Sequence, residues 1–155
     1  MKVVPRSKVI YSFSRRRKPV EYVKSGELVL LETEDALGGQ VKDEKAPLNK
    51  PDWSKVDGAT GPLFVKSAEP GDTLIAEILD IRIKEQGVIV TVPKQGILGR
   101  KKFSASAKVV GIRRGYIDFE KGVRVKVNPM IGTIGVSPES GAVPSGVPGR
   151  HGGNM

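Results

Sequence analysis

"YIDFEKGVRVKV" (116–127) decides the fold class. Tyr116, Asp118 and Glu120 alternate with Ile117 and Phe119, Lys121-Gly122 follows, and Val123, Val125 and Val127 then alternate with Arg124 and Lys126. Side chains on a strand alternate between faces, and a two-residue loop containing glycine suits the tight turn of a hairpin. The segment is therefore expected to form two antiparallel strands, the second of them half-buried. The same grammar extends outward. "GVIVTV" (87–92) ends at Pro93, "GELVLLET" (26–33) follows a Ser-Gly turn, and "GDTLIAEILDIRI" (71–83) follows Glu69-Pro70. In the last, Leu74, Ala76 and Ile78 alternate in one phase and Leu79, Ile81 and Ile83 in the other, which predicts a bulge or bend near Ile78–Leu79. Residues 72–83 and 87–92 are expected to pair as a second hairpin. "IGTIGV" (131–136) reads as one more buried strand. No stretch has a convincing helical period, so helix is limited to a short turn near 102–108. The predicted class is mainly β: antiparallel sheets and hairpins, sandwich- or barrel-like, with little helix, in a single domain over 1–155.

The totals exclude several chemistries. The 155 residues include no Cys, which removes disulfides, thiolate zinc sites and a cysteine nucleophile. Aromatic residues are only 5% of the chain, thin for a self-sufficient core and compatible with a surface that a partner covers. No apolar run reaches the length of a membrane span, and no signal peptide heads the chain, so no membrane partner and a cytoplasmic location are expected. The net charge of +9 is unevenly laid out, with an acidic block over 25–80 between basic ones at 1–24 and 81–131. The basic stretches 14–19 and 93–116, the second interleaved with Phe103 and Tyr116, raise a nucleic-acid-binding module as an alternative. No recognised nucleic-acid motif supports it, and a solvated cationic face explains the same residues.

Three places could carry chemistry. "GRHGGN" (149–154) holds the only histidine, His151, among glycines that let a backbone approach a ligand closely. An imidazole serves as a metal ligand or as a base near neutral pH, and the Asn154 amide can bond a substrate or water. Composition alone makes 132–155, with seven Gly and three Pro, a flexible tail. "ETEDALGGQ" (32–40) places Glu32, Glu34 and Asp35 ahead of Gly38, Gly39 and Gln40. Carboxylates there suit metal binding or base catalysis, or simply discourage edge pairing. "GATGP" (58–62) could offer backbone N–H groups and the Thr60 hydroxyl to an oxygen, or be only a turn. The long linker 35–62 also contains the only tryptophan, Trp53, which argues against simple disorder. "VKSGELVLLE" (23–32) and "VKSAEPGDTLIAEI" (65–78) share a turn-acid-strand start that hairpin grammar can produce without duplication.

Taken in order, "LETEDALGGQV" (31–41), "GATGPLFVKSAEPGDTLIAEILDI" (58–81) and "VKVNPMIGTIGVSPESGAVPSGVPGRHGGNM" (125–155) resemble the acetamidase/formamidase family. The resemblance is weakest over 84–115. It implies a mainly β, oligomeric hydrolase that converts short linear amides, acetamide or formamide, to a carboxylate and ammonia with a divalent metal, zinc or calcium. By the same resemblance His151, Asp35 and Asn154 are catalytic, and His151 and Asp35 are metal ligands. Gly38, Gly39, Gln40, Thr60, Gly61, Gly152 and Gly153 then contact substrate, with 132–155 as the active-site segment. Family chains are about twice as long and continue with further acidic residues and a second histidine. The chain therefore corresponds to the N-terminal half of such an enzyme and is expected to be incomplete or inactive alone. Its expected partners are a small amide and either further copies or a polypeptide carrying the C-terminal half, with a structural subunit of a split enzyme as a further alternative.

Overall fold

The fold is that of a computed structural model, which describes every residue except Ala46, Pro47, Asn49, Lys50 and Met155, and of Asn154 the backbone alone. The strands in chain order are β1 (Lys2–Val4), β2 (Val9–Ile10), β3 (Ser12–Phe13), β4 (Glu21–Val23), β5 (Val29–Leu31), β6 (Ala59–Thr60), β7 (Leu63–Val65), β8 (Gln86–Thr91), β9 (Ser106–Arg113), β10 (Tyr116–Glu120), β11 (Val123–Lys126), β12 (Thr133–Gly135), β13 (Val143–Pro144) and β14 (Gly152–Asn154). The chain is mainly β, as its alternation predicts. Among the described residues the helical content is one 3₁₀ turn, Trp53–Lys55, inside the long linker. Asp52 starts that turn by accepting the Ser54 N–H at 3.0 Å and the Ser54 hydroxyl at 2.5 Å. The helical turn expected near 102–108 is absent. Those residues lead into β9 instead, because β-branched Val109, Val110 and Ile112 have strand partners in β8 and β10.

The residues group into two compact units. One comprises Met1–Gly39, Asp52–Glu77 and Ile131–Met155, the other Gln40–Pro51 and Ile78–Met130. The first is built from short two-stranded pairings: β1·β5, β2·β6, β3·β13, β4·β7 and β12·β14. Two of these, β1·β5 and β4·β7, run parallel, which antiparallel hairpin grammar does not predict. In β4·β7, Val23 stands opposite Val65, so the two Val-Lys-Ser copies leave adjacent strands side by side. Only the first copy leads on to a strand. The apolar interior of this unit is Val4, Ile10, Phe13 and Val23, all buried.

The second unit carries an antiparallel sheet in the order β11-β10-β9-β8. The opening hairpin forms as its sequence dictates, with Lys121-Gly122 at the turn, Gly122 at φ 79°, and a bulge between Asp118 and Glu120. The expectation that its second strand is half-buried fails, since Val123 and Val125 are 47% and 48% exposed. The hairpin of 72–83 with 87–92 also fails. Residues 72–83 join no strand ladder, and β8 pairs with β9 in register from Gln86↔Gly111 to Thr91↔Ser106. Periodicity identified two segments able to form strands but not which partner each takes. The apolar interior here is Val41 and Val110. Six buried apolar side chains among the described residues make a small core, and much apolar surface stays open.

Candidate active site

The glycine-rich end of the chain is built into structure rather than left as a tail. β14 runs antiparallel to β12, pairing Thr133 with Asn154, Ile134 with Gly153 and Gly135 with Gly152. Gly149 and Gly152 exchange backbone hydrogen bonds of 2.9 and 3.0 Å, which makes Arg150-His151 the two-residue tip of a tight hairpin. Glycine is required here for space as well as conformation. Gly152 has φ 98°, and a Cβ there would stand 2.3 Å from the Ile134 carbonyl oxygen. Gly153 has φ 108°, and a Cβ there would stand 2.2 Å from the Val147 carbonyl oxygen. Both distances are far inside van der Waals contact, and positive φ is the region that L side chains avoid.

His151 is fixed from three sides. Its carbonyl accepts the Val136 N–H at 2.7 Å. Its ring meets the buried Phe13 ring at 5.6 Å between centroids, tilted by 55°. Its Cε1 and Nδ1 lie over Gly149, where a Cβ would come within 2.9 Å of both. Nε2 is buried and has no hydrogen-bond partner among the described residues. A buried polar atom without a partner is costly, and such an exception calls for a functional explanation. Ser145 Oγ shares this condition at 1% residue exposure. Sequence reasoning missed Ser145, because one small polar residue in a Gly/Pro-rich stretch gives no signal. Its position follows from the pairing of β13 with β3 and from its N–H donating to the Tyr11 carbonyl at 3.1 Å.

The acidic stretch is held by local bonds. Asp35 Oδ1 accepts from the N–H groups of Leu37 at 2.8 Å and Gly39 at 3.2 Å, and the Gly38 N–H donates to the Asp35 carbonyl at 2.8 Å. This Asx-type turn, completed by Gly38 and Gly39 at φ 63° and 69°, explains the residue order Asp-x-x-Gly-Gly. Glu34 pairs with the Arg6 guanidinium at 3.4 Å. Thr60 does not present its hydroxyl to open space: Oγ1 donates to the Glu32 carbonyl at 2.8 Å. The Gly61 N–H donates to the Lys8 carbonyl at 2.8 Å, and the Gly61-Pro62 peptide is cis. Beside it lies an open basin of about 460 Å³ whose lining includes Lys8, Arg16, Arg17 and Lys18 and no carboxylate, so it favours an anion over a neutral amide.

Two of the three sequence-designated stretches meet within the first unit. The Asp57 N–H donates to the Ala36 carbonyl at 2.7 Å, tying the "GATGP" loop to the "DALGG" turn. Asp57 in turn lies against Gly146, where a Cβ would be 2.8 Å from its carboxylate. Phe13 links β13 to His151. Gln40 falls in the other unit, and the Asn154 side chain lies outside the described residues. The backbone N–H groups of Gly38, Gly39, Gly61 and Gly152 are already engaged. In this arrangement those glycines shape the loops rather than offer donors.

The residues present do not by themselves fit a divalent metal. No group of three or more His, Cys, Asp or Glu side chains converges among the described residues. His151 Nε2 has a free lone pair or proton to offer, while both amide bonds of Asp35 fall on its Oδ1. One imidazole is a single ligand, short of the three or four that zinc takes from proteins and not of the oxygen type that calcium takes. No helix among the described residues is long and apolar enough to cross a membrane.

A mainly β fold is what the sequence resemblance implies. Residues 15–145 match the acetamidase/formamidase family, and the chain belongs to it. Among solved structures, a predicted acetamidase/formamidase from the thermophile Thermoanaerobacter tengcongensis is similar over 99% of this chain, with TM-score 0.95 and 39% identity. An acetamidase from Bacillus halodurans is similar over 98%, with TM-score 0.95 and 36% identity. A putative formamidase of Schizosaccharomyces pombe is 38% identical over 64 residues, which is 40% of this chain and 16% of that protein. The chain spans 51% and 52% of the two bacterial proteins, about half their length.

Proposed function

We propose that this chain carries the His151 half of the active site of a cytoplasmic amidase that hydrolyses short linear amides, acetamide or formamide, to carboxylate and ammonia. The observation that carries the proposal is the buried, unpartnered Nε2 of His151 on a loop whose every neighbour fixes its position. Family membership supplies the reaction class. Amide hydrolysis must move a proton from the attacking water to the departing nitrogen, and an imidazole near neutral pH does both halves of that transfer. Phe13 and Gly149 fix the orientation of the ring in advance, which is the benefit of a preorganised site. Asp35 acts as a positioning residue that folds the Gly38-Gly39 turn. Thr60, Gly61, Gly152 and Gly153 shape the wall around the loop, and Asn154 supplies an amide side chain to orient substrate.

A metal enters the proposal in a restricted form. His151 would supply one ligand to zinc, which would need its remaining ligands from elsewhere, whereas calcium would need oxygen ligands that an imidazole does not provide. The same deficit implies that the site is completed by a polypeptide equivalent to the half of the bacterial relatives that this chain does not match, with homo-oligomers of the completed unit as the working assembly. The test is ammonia release from acetamide and formamide by the completed assembly with His151 intact or replaced. His151→Ala is expected to lower kcat by about 10²-fold or more with stability unchanged within about 1 kcal/mol. An unchanged kcat and an unchanged pH–rate profile in that variant would remove His151 from the reaction.

A further inference from the structure

Lys8, Arg16, Arg17 and Lys18 line one open basin of about 460 Å³ in the first unit, with no carboxylate in the lining. Elsewhere cations of this chain stand against acids: Lys2 pairs with Glu21 and Glu27, Arg6 with Glu34, and Arg124 with Asp118. In the basin they do not. Among the described residues, no hydrogen bond or ion pair engages the side chains of Lys8, Arg16 or Lys18. Like charges gathered in one concavity repel one another and focus their field on whatever enters, so an anion relieves the repulsion as it binds. The basin is also shaped. The turn Ser14–Arg17 is closed by the Arg17 N–H donating to the Ser14 carbonyl at 3.1 Å and the Arg16 N–H donating to Ser14 Oγ at 3.3 Å. The Ser14 hydroxyl in turn donates to the Gly141 carbonyl at 3.1 Å, which anchors the turn. Arg17 Nε and Nη2 donate to the Ser12 carbonyl and hydroxyl at 3.1 and 2.9 Å. A guanidinium carries five N–H donors in a rigid fork, so three remain and are already oriented.

Charge and size select the occupant. A neutral amide has no use for four cations, and a carboxylate such as formate or acetate balances only one. A phosphate group carries about two negative charges at neutral pH and several acceptor oxygens, which suits both the number of cations and the fork of an arginine. Val20 and Pro62 add apolar surface to the lining, beside which an organic group can rest, and the volume is of the order that small ligands occupy. A nucleic-acid strand needs a continuous basic track, but the other basic stretch, 93–116, belongs to the second unit and adds nothing to this lining. We infer that the basin binds a small molecule bearing a phosphate group, either free phosphate or a phosphate ester such as a nucleotide. The inference stands apart from the amidase reading, since none of these cations is assigned a part in amide hydrolysis.

The test is calorimetric titration of residues 1–155 with inorganic phosphate, pyrophosphate and AMP, repeated on the assembly with a polypeptide covering the unmatched half of the Thermoanaerobacter tengcongensis relative. One site per chain is expected, with an affinity that falls as salt rises, because the four cations are exposed. Arg16→Gln and Lys18→Gln should each weaken binding about tenfold. Lys101→Gln and Lys102→Gln make the same change of charge in the second unit and should weaken it less than about twofold. Arg17 is left intact, because its bonds to Ser12 hold the turn. AMP binding about tenfold tighter than phosphate would identify a phosphate ester as the ligand, and equal affinities would identify the free anion. Either result supports the inference. No heat of binding from any of the three at about 1 mM would overturn it. Equal losses in the variants of the two units would do the same, by reducing the effect to diffuse charge. So would binding that disappears in the assembly, which would make the basin a surface covered by the rest of the protein. Ammonia release enters none of these readouts, so failure of this inference and failure of the amidase reading are distinguishable.

Discussion

The segment 132–154 and the segment 72–83 look opposite in sequence and turn out opposite in structure, each in the unexpected direction. The first, rich in glycine and proline, has the composition of a tail and is the most closely fitted backbone in the molecule, with carbonyl oxygens standing where a Cβ of Gly152 or Gly153 would be. The second has the alternation of a core strand and lies open on both faces. Glycine content marks either freedom or close approach, and only the neighbours decide which. Apolar alternation marks the ability to form a strand, and the partner has to come from somewhere.

The comparison can be broken at both ends. Phe13 is 6% exposed, pairs with Val143 and packs on His151, so Phe13→Ala should cost about 3–5 kcal/mol in urea unfolding and release the imidazole. Next comes Gly153→Ala, which adds a positive-φ penalty to an overlap with the Val147 carbonyl. A loss of about 2–3 kcal/mol is expected. The matched control is Gly122→Ala at the open hairpin turn, with φ 79° and nothing within 4 Å of its Cβ, where only the backbone penalty of about 1 kcal/mol remains. Equal costs for the two glycines would mean that the His151 loop is not locked as described. Ile75→Thr, at 87% exposure, should change the stability of the chain alone by less than about 0.5 kcal/mol. A large loss there would show that 72–83 is already packed.

The smallest effect concerns Lys2, which pairs with Glu21 at 3.0 Å and Glu27 at 3.7 Å and also donates to the Tyr22 carbonyl. Its hydrogen bond to Glu21 raises the Lys2 pKa above the usual 10.5, so its contribution is full below that pH and is lost as pH rises through the folded value. The Glu21 carboxyl is held below its usual 4.5, first by the Tyr22 N–H and then by Lys2, so its contribution is present above that pH and is lost as pH falls through the folded value. Because the groups are exposed, Lys2→Gln should flatten both ends of a stability–pH curve only slightly.

What could be read from the sequence was local. The 116–126 hairpin needs only its own alternation and Lys121-Gly122, and it formed where expected. The Asx turn at Asp35 needs only its own glycines. The parallel pairs β1·β5 and β4·β7 join residues far apart in the chain that no local pattern connects, and neither was foreseen. Alternation locates β8 to within one residue but names the wrong neighbour, since adjacent apolar segments usually pair and 72–83 forms no strand. His151 stood out because the chain has no other histidine and because its ordered company resembled a family. The unpartnered Nε2 and its contact with Phe13 required coordinates, because β3 lies more than a hundred residues upstream of the loop.

The central claim is that His151 is held ready on a site this chain does not complete. The most direct measurement is ammonia release from formamide and acetamide by residues 1–155 alone and after assembly with the second-half polypeptide. The account predicts no release above background from residues 1–155 alone and turnover only in the assembly, lowered about 10²-fold or more by His151→Ala. Turnover by residues 1–155 alone at a rate ordinary for an enzyme, on the order of 1 s⁻¹ or faster, would contradict it.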